Sequence, residues 1–299
     1  MVDRLLPVNG VLILDKPKGC TSHDLVHRAR LILGEKHLGH LGTLDPLATG
    51  VLPLVAGEAA RLAEFAPTGK TYEACCLLDL FTDTDDVTGS PLPTPLPPTP
   101  PTPDAIRAAC LSLIDVVEQV PPMMSAVKKD GVRLYKLARK GLTVDRAARP
   151  VTIHSVEMLE AEWPRVTFRV ACTGGTYVRS LCRTLGERLG TGGCMESLRR
   201  LKAGPFSLEE ALDWTKFEAE GKAGEIRLLP PLSLVAHLPQ WKLSETQASD
   251  VLHGRVMDGP QGLQEGWTVL LNSQGKIAAM GLAEGGRLKP RKVFMAEGL

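Results

Sequence analysis

The chain lacks most of the features that announce a chemistry. Aromatic residues are scarce, with six Phe, four Trp and three Tyr in 299 residues. No apolar run approaches the ~18 residues that a spanning helix needs, so no membrane partner is expected. The opening Met-Val-Asp-Arg-Leu-Leu-Pro has neither the apolar core nor the cleavage site of a signal peptide. Cysteines stand at 20, 75, 76, 110, 172, 182 and 194, odd in number and without a C-x-x-C pair. They read as reduced thiols of a cytoplasmic protein.

The familiar catalytic signatures are also missing. Gly69-Lys70-Thr71 resembles the end of a P-loop, but Glu64 stands where the first glycine is required, so no nucleotide cofactor is expected. There is no G-x-G-x-x-G, no H-E-x-x-H and no G-x-S-x-G. His37 and His40 have no third ligand at metal spacing, so no metal site is expected. What remains is a site built on a carboxylate, with no cofactor.

Global charge is uninformative, with 35 basic and 34 acidic residues and a formal net charge of +1. Its distribution carries more. Lys128 to Arg149 holds eight basic residues against Asp130 and Asp145. Such a stripe can grip phosphates, although a solvated helix face has the same composition. Asp79 to Asp86 holds four acids and no base.

The length allows a full core and suggests two domains. Gly10–Asp15 reads as a buried strand. Thr21 and Asp24 have capping-box spacing ahead of a helix over 22–33. A strand is expected over 51–55 and a short helix over 58–65. Thr71–Leu80 alternates as a strand, with Tyr72, Ala74, Cys76, Leu78 and Leu80 on one face. Residues 90–103 contain eight prolines and should form a stiff exposed segment. A helix over 104–113, a half-buried strand around Val166–Val170 and an amphipathic helix from Val178 follow. Composition changes near Pro230–Pro239. Beyond it, a helix over 245–252 and a hairpin around Asn-Ser-Gln-Gly suit a small β-barrel. The expected division is 1–235 and 238–299.

The most informative stretch runs from His40 to Gly50, His-Leu-Gly-Thr-Leu-Asp-Pro-Leu-Ala-Thr-Gly. Asp45 is its one carboxylate, set among Leu44, Leu47 and Ala48 and fixed by Pro46. Such an acid is costly to bury unless paired, which is how a reactive carboxylate is housed. The plain alternative is an Asx-turn. Further segments recur in order: Asp15-Lys-Pro-Lys-Gly19, Lys70-Thr-Tyr72, Leu80 to Gly89, Gln119 to Gly141, Gly175-Thr-Tyr-Val-Arg179, Leu198-Arg-Arg200 and Gly204-Pro-Phe206. Together they closely resemble the bacterial tRNA pseudouridine-55 synthase (TruB) family from about residue 9 to 235. The last sixty residues look, more loosely, like the RNA-binding PUA-type barrel of such enzymes.

The resemblance implies an α+β catalytic domain. It would have a mixed, largely antiparallel sheet, flanking helices and a central cleft, followed by the small barrel. It implies isomerisation of uridine-55 in the tRNA T-arm to pseudouridine after base flipping. Asp45 matches the essential aspartate, acting on the flipped base or at the sugar C1′. Arg179 matches the arginine thought to pair with it, and Tyr72 the stacking aromatic. Tyr177 and Leu198 match base-pocket residues, His40 a histidine near the RNA, and Lys16 a support of the pocket wall. Residues 123–149 match a loop that wraps the T-arm, with Lys128, Lys129 and Arg133 as backbone contacts. Arg199, Arg200 and Lys202 would extend that track. A monomer is expected.

Two departures from the family pattern stand out. Leu80-Phe81 replaces the usual Leu-Gly, and Met124 stands where an aromatic is usual. Two other functions fit parts of the chain. One is a non-catalytic tRNA-binding or tRNA-folding protein on the same scaffold. The other is an acid-centred nucleoside glycosidase, which needs a second carboxylate; Asp83, Asp85 and Asp86 are the candidates.

Overall fold

Gly10–Lys16 (β1) is an almost unbroken apolar run, and six of its seven residues are buried. A strand covered on both faces belongs inside a sheet. It pairs antiparallel with Thr49–Ala56 (β3), from Gly10 opposite Ala56 to Lys16 opposite Gly50. The computed structural model describes residues 8–294. The opening heptapeptide, read above as no signal peptide, lies outside the described residues.

Ser22–Leu33 (α1) starts at the predicted capping box. Thr21 Oγ1 accepts from the Asp24 N–H at 3.1 Å, and Asp24 Oδ2 accepts from the Thr21 N–H at 2.9 Å. Gly34 closes the helix in the left-handed region at φ 64°. Leu38–His40 (β2), too short for any periodicity, pairs with β3. Residues 57–65 form a 3₁₀ run where the sequence predicts a short helix. Lys70–Leu77 (β4) ends three residues before the predicted limit, because the Leu78 N–H turns away to Pro164 O at 2.8 Å.

Ile153–Glu162 (β5) and Arg165–Cys172 (β6) form an antiparallel hairpin against β4. Cys194–Ala203 (β7) then enters the middle of the sheet. It runs antiparallel to β4 and parallel to β3. Phe206–Ser207 (β8) pairs back on β7, and Leu212–Asp213 (β9) lies parallel to β1. The sheet order is β5-β6-β4-β7-β3-β1-β9, with β2 on β3 and β8 on β7. It is mixed and mainly antiparallel, as expected.

Helices cover the two halves of this sheet. Pro103–Ser112 (α2) and Val178–Leu189 (α4) share a core with Phe168, Cys76 and Leu198. α1 and Trp214–Ala223 (α5) share another with Leu14, Leu52 and Leu54. The proline-rich segment forms only a two-residue ladder at Pro91–Leu92 before Thr102 caps α2. Pro103 begins that helix, where its missing N–H costs nothing.

The basic segment is closed at its base by pairing of Glu118–Gln119 with Arg149–Pro150. Within it, Lys128–Lys129 pairs with Val132–Arg133. The intervening Asp130 and Gly131 have φ of 50° and 80°, the positive pair of a primed hairpin turn. Leu134–Ala138 (α3) follows and buries Leu134.

A second sheet comprises Gln240–Lys242 (β10), Met257–Asp258 (β11), Gly266–Leu271 (β12), Ile277–Glu284 (β13) and Arg287–Val293 (β14). Its order is β10-β12-β13-β14-β11. Glu245–Leu252 (α6) packs on it. This curled sheet stands where the sequence predicts a barrel. It is not loosely tethered: Val269, Ile277, Met280 and Phe294 share one apolar cluster with Val11, Val51 and Leu62.

Candidate active site

The Asp45 loop joins β2 to β3 and is held from several sides. The Leu44 N–H donates to Ser22 Oγ at 2.8 Å, and that hydroxyl donates to Leu44 O at 3.1 Å. The Gly19 N–H reaches Pro46 O at 2.8 Å. Lys16 is fully buried and donates to Ala48 O at 2.7 Å and Pro46 O at 3.4 Å. Burial lowers its pKa, the chief opposing influences being Cys20 and then Asp45. Lys16 therefore ties down the backbone of the loop on both sides of Leu47.

Arg200 holds the same loop, and this corrects the sequence reading. It is 0% exposed, so it cannot lie on a phosphate-facing track. Its Nε donates to Val51 O at 2.7 Å and its Nη2 to Gly42 O at 3.1 Å. The strand beside it must be bare: a Cβ on Gly50, at φ 103°, would lie 2.2 Å from Arg200 O. Arg199 is paired too, with Nη2 at 2.7 Å from Asp15 Oδ2. Lys128, Lys129 and Arg133 differ: among the described residues none of them forms an ion pair with an acid. Lys128 and Arg133 are exposed.

The Asp45 side chain is not spent on capping the backbone. Its Oδ2 lies 3.0 Å from Arg179 Nε. Arg179 is 4% exposed and comes from the first turn of α4. Its Nη1 donates to Thr84 O at 3.0 Å and its Nη2 to Met124 O at 2.8 Å. Asp86 Oδ2 stands 3.8 Å from Arg179 Nε on the same edge. The guanidinium is thus fixed by two carbonyls and shared by two carboxylates. The Asp45 side chain keeps 36% of its surface open, whereas Asp86 keeps 8%. Of the two carboxylates, Asp45 is the one open to solvent.

Asp86 is the residue that sequence reasoning left without a place. Its Oδ1 accepts from the Thr88 N–H and Thr84 Oγ1, each at 3.0 Å, and from Thr88 Oγ1. A bridge to Met195 docks the acidic turn on β7. The spacing Thr84, Asp86, Thr88 was the available signal, since flanking hydroxyls suit a buried carboxylate. Gln119 was also missed. It grips the Tyr177 backbone at both ends, accepting from the N–H at 2.9 Å and donating to the carbonyl at 3.2 Å.

Tyr72, Leu198, Leu44, Leu47 and Val178 belong to one apolar cluster. Burial raises the Tyr72 phenol pKa; Arg200 opposes this, and Asp45 adds a smaller upward push. Tyr177 is half-buried at the start of α4, two residues from Arg179. His40 lies on β2. Burial lowers its pKa, with Arg200 and His23 adding to the effect, and its Nδ1 is buried without a partner. Asp45, Arg179, Tyr72, Leu198 and Tyr177 are thus drawn from four separate parts of the chain.

The chain is similar to known proteins along most of its length. Residues 30–178 match the model for the TruB family pseudouridylate synthase N-terminal domain. Residues 179–227 match that for the tRNA pseudouridylate synthase B C-terminal domain. The chain belongs to the TruB family of pseudouridylate synthases. A tRNA pseudouridine synthase B of Aromatoleum aromaticum is 44% identical over 289 residues, covering 96% of this chain and 92% of that protein. One from Bacillus licheniformis is 39% identical, covering 96% and 98%. Among solved structures, a chain of a Cbf5-Nop10-Gar1 complex superposes with a TM-score of 0.73 at 28% identity, covering 96% of this chain and 85% of that one. Among the described residues, no helix is long and apolar enough to cross a membrane.

Proposed function

We propose that the protein converts uridine-55 in the T-arm of tRNA to pseudouridine, with Asp45 as the catalytic residue. The observation that carries this reading is the 3.0 Å pairing of a partly open Asp45 with the buried Arg179. The relatives named tRNA pseudouridine synthase B support the substrate class.

The reaction is an isomerisation. The N1–C1′ bond breaks, a C5–C1′ bond forms, C5 loses a proton and N1 gains one. A uracil inside a folded loop must first leave its stack. Tyr72 and Leu198 offer an apolar seat for the flipped base, and the Tyr72 ring can stack on it. Burial keeps the phenol protonated, so any part it takes in moving the C5 proton needs a local acceptor. Arg179, fixed by two carbonyls, holds Asp45 toward the base or the sugar C1′. Such preorganisation removes the cost of ordering the acid during reaction. Lys128, Lys129 and Arg133 serve as contacts to the RNA backbone, and the terminal sheet adds a second RNA-binding surface.

The glycosidase reading fits less well. Its second carboxylate would be Asp86, but that group is buried and its Oδ1 is saturated by three donors. Its Oδ2 faces the buried Arg179 at 3.8 Å.

Carbodiimide primer-extension mapping on unmodified tRNA tests the proposal. A single T-arm stop is expected with the wild-type protein. Asp45→Asn should remove it while leaving tRNA binding nearly intact. Tight binding by the wild type without any stop would favour the tRNA-folding alternative. Substantial activity of Asp45→Asn would remove Asp45 from the mechanism.

A further inference from the structure

The helix α4 carries the buried Arg179, yet it starts on a poor residue for a helix N-terminus. Its N-cap is Tyr177, whose side chain makes no capping hydrogen bond. Ser, Thr, Asn or Asp would supply one. The backbone there is held instead by a side chain from far earlier in the chain. The Tyr177 N–H donates to Gln119 Oε1 at 2.9 Å, and Gln119 Nε2 donates to Tyr177 O at 3.2 Å. A primary amide suits this, because it offers an acceptor and a donor on one planar group. Tyr177 cannot turn about φ or ψ without breaking one of the two bonds. Gln119 is 7% exposed, which leaves little room for water to replace either of them.

Gln119 also stands at the foot of the basic segment, in the ladder of Glu118–Gln119 with Arg149–Pro150. Further along, Met124 O accepts from Arg179 Nη2 at 2.8 Å. The stretch from 119 to 125 is thus fastened in two directions. Gln119 and Met124 hold the start of α4. Pro121 O accepts from Arg146 Nη1 at 3.0 Å, and Ser125 O accepts from the Tyr135 N–H at 3.1 Å, both within the basic segment. One strap joins the helix start to the basic segment.

We infer that Gln119 is a positioning residue for the reaction, setting Tyr177 and the first turn of α4 against the base of the segment that would grip the RNA. This rests on the tRNA reading above and adds a residue to it. Gln119 acts through Tyr177 and not on the reacting atoms. A Tyr177 backbone free to turn would let its ring leave the base pocket. It would also loosen the anchor from which Arg179 reaches Asp45. The cost falls on conversion of the bound tRNA more than on its affinity, because the cations of the basic segment stay in place.

Single-turnover kinetics with saturating tRNA, set beside filter binding and thermal melting, test this in two variants. Gln119→Met keeps the length of the side chain and loses both hydrogen bonds. Gln119→Glu keeps the acceptor; ionised it has no donor for Tyr177 O, and protonated it regains one. Rates are compared with the wild type at the same pH. We expect Gln119→Met to be about tenfold slower at every pH, with tRNA affinity within about twofold of wild type. Gln119→Glu should be about as slow near pH 9 and recover toward the wild-type rate at about pH 6, since burial beside a carbonyl raises a carboxyl pKa. A merely structural role would lower the melting temperature and the active fraction without that recovery.

Wild-type rate constants in both variants would overturn the assignment and leave the tRNA reading standing. So would a loss confined to tRNA affinity, or a loss in Gln119→Glu that ignores pH and follows a lowered melting temperature. A wild type that forms no pseudouridine in the tRNA it binds would overturn the tRNA reading and this role with it.

Discussion

Arg179 shows how much one side chain can do when its surroundings are settled. Three nitrogens meet three different groups: Asp45, Thr84 O and Met124 O. A lysine carries the same charge but has no planar fork to reach all three. Arg179→Lys should keep RNA binding and lower kcat by about 10²-fold, roughly 2.7 kcal/mol of barrier. Single-turnover kinetics with saturating tRNA would measure this, and a loss confined to KM would place Arg179 in binding only. Asp45 stands out in the sequence as the one carboxylate of its segment, whereas its pairing with Arg179 was implied only by the family resemblance. Arg200 was misread because basic residues look alike in sequence. Only the parallel register, Arg200 beside Gly50, places it inside. Asp86 stayed unplaced for a related reason: its bridge to Met195 spans more than a hundred residues.

Among the elements, the best-read ones carry their own signals. α1 begins at its capping box, and α4 follows the apolar spacing of Val178, Leu181 and Leu185. The missed strands either lack a pattern or lack length. β5 is an exposed edge whose burial does not alternate cleanly, and β2 has three residues. The basic segment is a built element, with a hairpin turn at Asp130-Gly131 and a ladder closing its base. Replacing Lys128, Lys129 and Arg133 by glutamine should weaken tRNA binding. It should also lower the salt slope by about one unit for each phosphate no longer neutralised. Filter binding across salt concentrations reads this directly. An unchanged slope would show that the hairpin does not touch the backbone.

For the whole molecule, the free thiols set a limit at high pH. Burial pushes Cys75 and Cys194 up to about 11 and Cys110 up to about 12. The unfolded chain loses these protons near pH 9 while the folded chain keeps them. Their contribution is therefore complete below pH 9 and is lost as pH rises toward 11 and 12. Lys70 acts in the opposite sense, since its folded value of about 8 lies below the unfolded one. Stability gains from it as pH rises above 8. Three thiols outweigh one lysine, so the melting temperature should fall above pH 9. Cys110→Ala should flatten that fall, as read by thermal denaturation at a series of pH values. An identical slope in the variant would take Cys110 out of the account.

The sheet has a seam. β7 and β3 touch through only two register pairs, Arg199 opposite Thr49 and Arg200 opposite Gly50. Asp45 belongs to the half containing β1 and β3, while Arg179 and Tyr72 belong to the half containing β4 and β6. Side chains carry what the ladder does not: Arg199 pairs with Asp15, Arg200 donates to Val51 O and Gly42 O, and Leu44 and Leu47 pack in one cluster with Tyr72 and Leu198. The acid and its arginine are thus laced together across the seam by two arginines and an apolar patch.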